Sequence, residues 1–154
     1  MLTTVEDLME RDLTVVMEDS TINEAIDIFY YHNVAGLPVV NKDWSLVGFL
    51  SETDILRAAT PSYLEVLTHS SFLSEEGEEF VRQLANLGKL PVRDYMTRAP
   101  MAVGPYVSLM SVADLMIRKH FRRLPVVEDG ILVGIIDRKA LWSFILEGPR
   151  SDDE

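Results

Sequence analysis

The densest chemistry in the sequence is a basic run, Arg118-Lys119-His120-Phe121-Arg122-Arg123, set in a chain with 14 Lys and Arg against 25 Asp and Glu. Cations gathered in an otherwise acidic chain focus field on one place, and a planar guanidinium suits the oxygens of a phosphate. Arg118 and Lys119 read as a solvated helix face. Ser51-Glu52-Thr53-Asp54 has the Ser-x-x-Asp spacing that can begin a helix by capping, and a serine at a helix start lies beside free N–H groups that favour an acceptor. Glu75, Glu76, Glu78 and Glu79 read as the solvated first turn of an exposed helix rather than a cation site. His32, His69 and His120 are scattered without metal-ligand spacing. Neither common glycine-rich phosphate loop occurs, Gly-x-Ser-x-Gly is missing, and no nucleophile is paired with a base. Nothing argues for an enzyme.

The chain has 154 residues, 47% of them hydrophobic, enough for a core without staples. Its formal charge of −11 opposes binding to nucleic-acid backbones and anionic membranes, which reward basic surface. The sequence contains no cysteine, so disulfides, thiolate metal sites and thiol nucleophiles are excluded together. No window approaches the ~20 apolar residues of a membrane span, and Met1 to Arg11 has no signal-peptide pattern. A cytoplasmic protein is expected.

The sequence repeats. Val5-Glu6-Asp7-Leu8-Met9 recurs as Val92-Arg93-Asp94-Tyr95-Met96, and Leu37-Pro38-Val39-Val40 as Leu124-Pro125-Val126-Val127, both 87 residues apart. Leu46-Val47-Gly48-Phe49-Leu50 matches Leu132-Val133-Gly134-Ile135-Ile136 at 86, because the second turn is one residue shorter. Duplication with drift leaves such a record. The expected division is a first repeat over 1–60, a helical insert over 61–90, a second repeat over 91–147 and a polar tail over 148–154.

Each copy predicts the same elements. Thr14-Val15-Val16 is a short β-branched run. Thr21 caps a helix with Ile22, Ala25, Ile26, Phe29 and Tyr30 on its apolar stripe, and Ser108 caps its counterpart. Leu37–Val40 and Leu46–Leu50 flank the polar turn Asn41–Ser45 as a hairpin, with Glu128-Asp129-Gly130 turning the second. A further helix follows Ser51 and Asp137. Within the insert, Ser74 can cap a helix carrying Phe80, Val81, Leu84 and Leu87.

Two strand-helix-strand-strand-helix copies, each with Leu-Pro-Val-Val, then Leu-Val-Gly, then a Ser- or Asp-capped helix, resemble tandem CBS domains, the module named after cystathionine β-synthase. The resemblance covers about Val5 to Ala59 and Val92 to Leu146. It implies a mixed α+β fold of two pseudo-symmetric repeats packed sheet to sheet, commonly paired into a disc-like homodimer. It also implies that a cleft between the copies binds an adenosine-containing ligand such as AMP, ADP, ATP or S-adenosylmethionine.

Gly48-Phe49-Leu50-Ser51-Glu52-Thr53-Asp54 is similar to the family's nucleotide signature, in which a glycine and apolar residues lead into Ser/Thr-x-x-Asp. On that resemblance Asp54 holds the ribose hydroxyls, and Ser51 lies near a phosphate. A carboxylate can accept both hydroxyl bonds, each worth about 1.5–3 kcal/mol when charge-assisted. The adenine would lie beside Val34, Ala35 and Gly36, with Ser20 and Ala25 nearby, although tight packing alone would explain Ala25. Arg122 and Arg123 match places that face the phosphates, as does Lys139. In copy two Asp137 replaces the serine and Ala140 the aspartate, so its site is expected to be weak or empty. The implied function is a stand-alone sensor without enzymatic activity that alters a separate, unidentified partner; a dimerisation scaffold that binds no ligand is the alternative.

Overall fold

The structure, a computed structural model, describes residues 3–60 and 73–147; the polar tail and the first part of the insert lie outside the described residues. These residues divide into two compact units that do not follow the sequence copies. The first unit takes 14–42, 47–60 and 73–100, and the second takes 3–13, 43–46 and 101–147. The segment that leads into each copy has therefore joined the body of the other.

The first unit begins with β1 (Val16–Met17) and the helix α2 (Ile22–His32), after the short α1 (Val5–Leu8) of the second unit. Thr21 Oγ1 accepts the Glu24 N–H at 3.2 Å, the cap its position predicts, and Asn33 ends the helix in left-handed conformation at φ 52°. β2 (Gly36–Val40) and β3 (Leu46–Ser51) follow, then α3 (Glu52–Ala59) and the insert helix α4 (Leu73–Leu87). The helix predicted for the insert is present; the side chain of Ser74 lies outside the described residues. β1 runs parallel to β2, with Val16 opposite Val39, and β4 (Thr97–Arg98) completes a four-stranded sheet ordered β1-β2-β3-β4. The sequence did not announce β4: two exposed residues of copy two's lead-in pair antiparallel with Gly48 and Phe49. Ile22, Ala25, Phe29, Leu37, Val39, Leu50 and Ile55 form the core with Val92 of that lead-in.

In the second unit α5 (Leu109–Lys119), β5 (Arg123–Glu128), β6 (Ile131–Asp137) and α6 (Arg138–Glu147) repeat the pattern. β5 and β6 are antiparallel, joined through Asp129 and Gly130 with φ 53° and 82°, the positive pair that a tight hairpin turn requires. The expected first strand of this copy is reduced to one parallel bridge, Val103 to Val126. Val5 and Met9 of the first lead-in are buried with Val112, Met116, Leu124, Val126 and Ile136. The tip of the first hairpin also belongs here: Ser45 bridges Ile131, and the Leu132 N–H donates to the Trp44 carbonyl at 2.9 Å. Among the described residues no helix is long and apolar enough to cross a membrane.

The exchange of lead-ins repeats bond for bond. The Val5 and Val92 N–H groups donate to the Val107 and Ser20 carbonyls at 2.9 and 2.8 Å, and those of Glu6 and Arg93 to Pro105 and Glu18 at 2.8 and 3.0 Å. At the end of each segment the repeated methionine lies on the repeated glycine. A β-carbon at Gly134 would be 2.5 Å from Met9 Sδ and 2.9 Å from its Cγ, and one at Gly48 would meet Met96 in the same way. Gly134→Ala and Gly48→Ala should each lower the unfolding free energy by about 1–3 kcal/mol through overpacking. In urea titrations Met9→Ala should recover part of the loss in the Gly134→Ala background; strict additivity of the two changes would rule out the contact as its cause.

Candidate functional site

Ser51 and Asp54 form the first turn of α3. Ser51 Oγ accepts the Asp54 N–H at 3.1 Å, and the Ser51 N–H donates to Asp54 Oδ2 at 3.0 Å, so both halves of a capping box are present. The strand-to-helix corner is fixed from outside as well, because the Glu52 N–H donates to the Ala35 carbonyl at 2.9 Å. Asp54 is half-buried. A carboxylate presents about four lone-pair directions, so the cap at Oδ2 leaves it room to accept further bonds.

The other residues predicted for the base fall in the same unit. Val34 is half-buried against the core, its N–H donating to the Phe29 carbonyl at 3.2 Å, and Ala35 is exposed. Gly36 is buried at the start of β2, where a β-carbon would lie 2.6 Å from Phe49 Cε1. Ser20 is half-buried, its carbonyl taking the Val92 N–H, and Ala25 is fully buried in the core. Val34 and Ala35 also border an open cavity of about 620 Å3 on the helix side of this unit, whose other walls come from α2, α3 and Leu84 of α4. Ser20, Gly36, Ser51 and Asp54 are not among its lining residues.

The predicted cations belong to the second unit. Arg123 opens β5 opposite Asp137, while Arg122 and Lys139 are exposed. Arg118 is held to Asp114 by bonds of 3.0 and 2.6 Å on one helix face, in line with its reading as a helix-surface residue. That guanidinium's hydrogen bond keeps the Asp114 carboxyl below its ordinary pKa, and the bond to Asp114 raises that of Arg118. In copy two the cap survives in half form: Asp137 Oδ1 accepts the Ala140 N–H at 3.2 Å, and Ala140 has no carboxylate to return the bond.

Sequence reasoning passed over Arg138. Its N–H donates to the Arg122 carbonyl at 3.1 Å and its Nε to the Phe121 carbonyl at 3.2 Å, fastening the loop before β5 to the start of α6. Glu52 holds the matching backbone bond in copy one, but nothing in the sequence marks the additional guanidinium bond. Arg138 sets the course of the backbone that carries Arg122.

Comparison with known proteins decides the family. The CBS domain family model matches residues 5–60 and 92–141. The chain belongs to the CBS-domain family. It is 35% identical over 145 residues to the Methanocaldococcus jannaschii protein MJ1426, covering 87% of this chain and 86% of that protein. The chloroplastic CBS domain-containing protein CBSX1 of Arabidopsis thaliana is 35% identical over 151 residues; 94% of this chain matches 64% of that protein. Among solved structures, the CBS-pair protein CBSX2 of Arabidopsis thaliana is 31% identical with a TM-score of 0.76, covering 96% of each chain. A crystal structure of CBSX2 in complex with AMP matches with TM-score 0.71 at 32% identity, covering 96% of this chain and 98% of that one.

The cap is testable apart from any ligand. Ser51→Ala should cost about 1 kcal/mol of unfolding free energy and Ser51→Asp, which copies residue 137, considerably less. Equal losses in chemical denaturation would mean that the hydroxyl does something other than cap.

Proposed function

We propose that this CBS pair is a stand-alone regulatory sensor: it binds an adenosine nucleotide of the AMP, ADP or ATP class, catalyses nothing, and changes the activity of a separate partner protein. Asp54 is the ribose acceptor and Ser51 the neighbouring phosphate contact; Ser20, Val34, Ala35 and Gly36 flank the base. Arg122, Arg123 and Lys139 are the cations that answer the phosphates. Two copies form a homodimer through exposed apolar residues of their helices.

The observation that supports this reading most directly is the Ser51–Asp54 corner. The family's signature is intact there, and the carboxylate is half-buried with acceptor capacity beyond the bond that caps α3. The AMP complex of the similar CBSX2 lends weight to the ligand class. Signalling requires that the nucleotide prefer one conformation over another, since a ligand of equal affinity for both shifts nothing.

The test is calorimetry and thermal unfolding with AMP, ADP, ATP and S-adenosylmethionine. A ligand at 100 times its dissociation constant should stabilise the protein by about 2.7 kcal/mol. Asp54→Asn keeps an oxygen for the Ser51 N–H while removing the charge, so it should preserve the fold and weaken binding by about 1.5–3 kcal/mol, roughly ten- to hundredfold. Arg123→Gln should weaken ATP more than adenosine. A Asp54→Asn protein that binds as tightly as the parent sinks the ribose role, and no response to any of the four ligands leaves the scaffold reading.

A further inference from the structure

We propose that Met96 is a reversible oxidation site whose sulfoxide detaches β4 from β3. The chain has seven methionines and no cysteine, so reversible two-electron chemistry with a peroxide falls to its thioethers. Two of these sulfurs hold structure. Met96 lies on Gly48 in the first unit and Met9 on Gly134 in the second, each filling the space that a β-carbon would need. No other methionine is among the nearest neighbours of a described glycine.

The two contacts differ in access. Met9 is only 8% exposed, in a core with Val112, Met116 and Ile136, whereas Met96 is half-buried and packs against the margin of its core. A peroxide must reach the sulfur, so burial protects the first and leaves the second open. Met101 and Met110 are exposed as well, but their oxidation breaks no contact of this kind. In the reaction the Met96 sulfur takes one oxygen from hydrogen peroxide as the O–O bond breaks, and the other oxygen leaves with both protons as water; the sulfur loses two electrons and the peroxide gains them. A dithiol-dependent sulfoxide reductase reverses the step, the oxygen leaving as water while the dithiol becomes a disulfide.

The sulfoxide is polar and chiral, unsuited to an apolar contact across bare backbone. β4 follows Met96 directly, is short and exposed, and holds β3 through two pairs, Thr97 with Phe49 and Arg98 with Gly48. Those pairs open when the sulfur moves. Upstream the lead-in stays attached, because Val92 is buried and the Val92 and Arg93 N–H groups bond to the Ser20 and Glu18 carbonyls. β3 carries the chain from Gly48 to Ser51, so the modification acts at the root of the Ser51–Asp54 corner whether or not that corner binds a nucleotide.

The full chain is treated with hydrogen peroxide in steps, each sulfoxide located by peptide mass mapping and strand pairing read by amide hydrogen exchange. Met96 should oxidise several-fold faster than Met9. Exchange across 48–49 and 97–98 should then quicken by about tenfold and return to its starting rate with sulfoxide reductase and a dithiol. Met96→Leu keeps the side chain's volume and cannot take oxygen, so its exchange should stay slow after the same treatment. A chain carrying Met101→Leu and Met110→Leu, which lacks the most exposed sulfurs, should still quicken. A Met96 that oxidises no faster than Met9, a sulfoxide at residue 96 that leaves exchange unchanged, equal quickening in the Met96→Leu chain, or its loss in the Met101→Leu, Met110→Leu chain overturns the proposal.

Discussion

The space that a β-carbon would need at Gly134 is filled by Met9, and at Gly48 by Met96. In each case the methionine comes from the sequence copy that does not supply the glycine. This pairing decides the organisation of the molecule. A thioether can lie across the strand only where the backbone is bare, and its flexible chain adapts to that irregular surface. With the methionine in place the strand edge beside it is paired, through Thr97 and Arg98 on β3 and through Glu10 on Ile135. The exchanged lead-ins therefore satisfy backbone groups and bury Val5 and Val92 in the same stroke.

One consequence concerns what the protein's unit of folding is. The backbone passes between the compact units at residues 13–14, 42–43, 46–47 and 100–101, and each core contains a fully buried valine from the other copy's lead-in. Neither sequence copy, cut out as a contiguous block, contains a whole core. Duplication thus produced two sequences that need one another, which removes the independence that tandem domains joined by a single linker usually keep.

Much of this was legible in the residues. The Thr21, Ser51, Ser108 and Asp137 caps, the hairpins and the insert helix follow from local rules, and the structure places each where spacing puts it. The α2 and α5 stripes are narrower than spacing predicts: Ile22, Ala25, Phe29, Val112 and Met116 are buried, but Ile26, Tyr30 and Ile117, at the outer edge of each stripe, are exposed. The repeat was visible through Met, Pro and Gly keeping register. Its meaning was not, because matched residues in two copies look the same whether each methionine covers its own glycine or its neighbour's. Strand β4 was hidden for the same reason: Thr97 and Arg98 are exposed, carry no alternation, and follow directly on the lead-in that Val92 and Met96 hold against the first unit. Arg138 escaped because its hydrogen bond goes to a carbonyl of a distant loop, a partner with no sequence signature. For the candidate site, the residue types were legible in the sequence, and the structure adds the local geometry of the Ser51–Asp54 corner.

Comparison of the two corners separates what the fold needs from what it does not. In both copies a side-chain oxygen takes the N–H three residues on, at 3.1 Å from Ser51 and 3.2 Å from Asp137, and in both the next residue's N–H reaches the loop before the paired strand. Only copy one adds the reciprocal bond from a carboxylate at the third helical position. Copy two forms its helix with alanine there, so that carboxylate is dispensable for starting the helix. The carboxylate of copy one nonetheless returns a bond to the Ser51 N–H and sets a negative charge at the start of the helix, both of which stabilise it. Asp54 is therefore a second lock on a helix start that a single cap already secures in copy two, and a carboxylate so placed keeps acceptor capacity beyond that one bond.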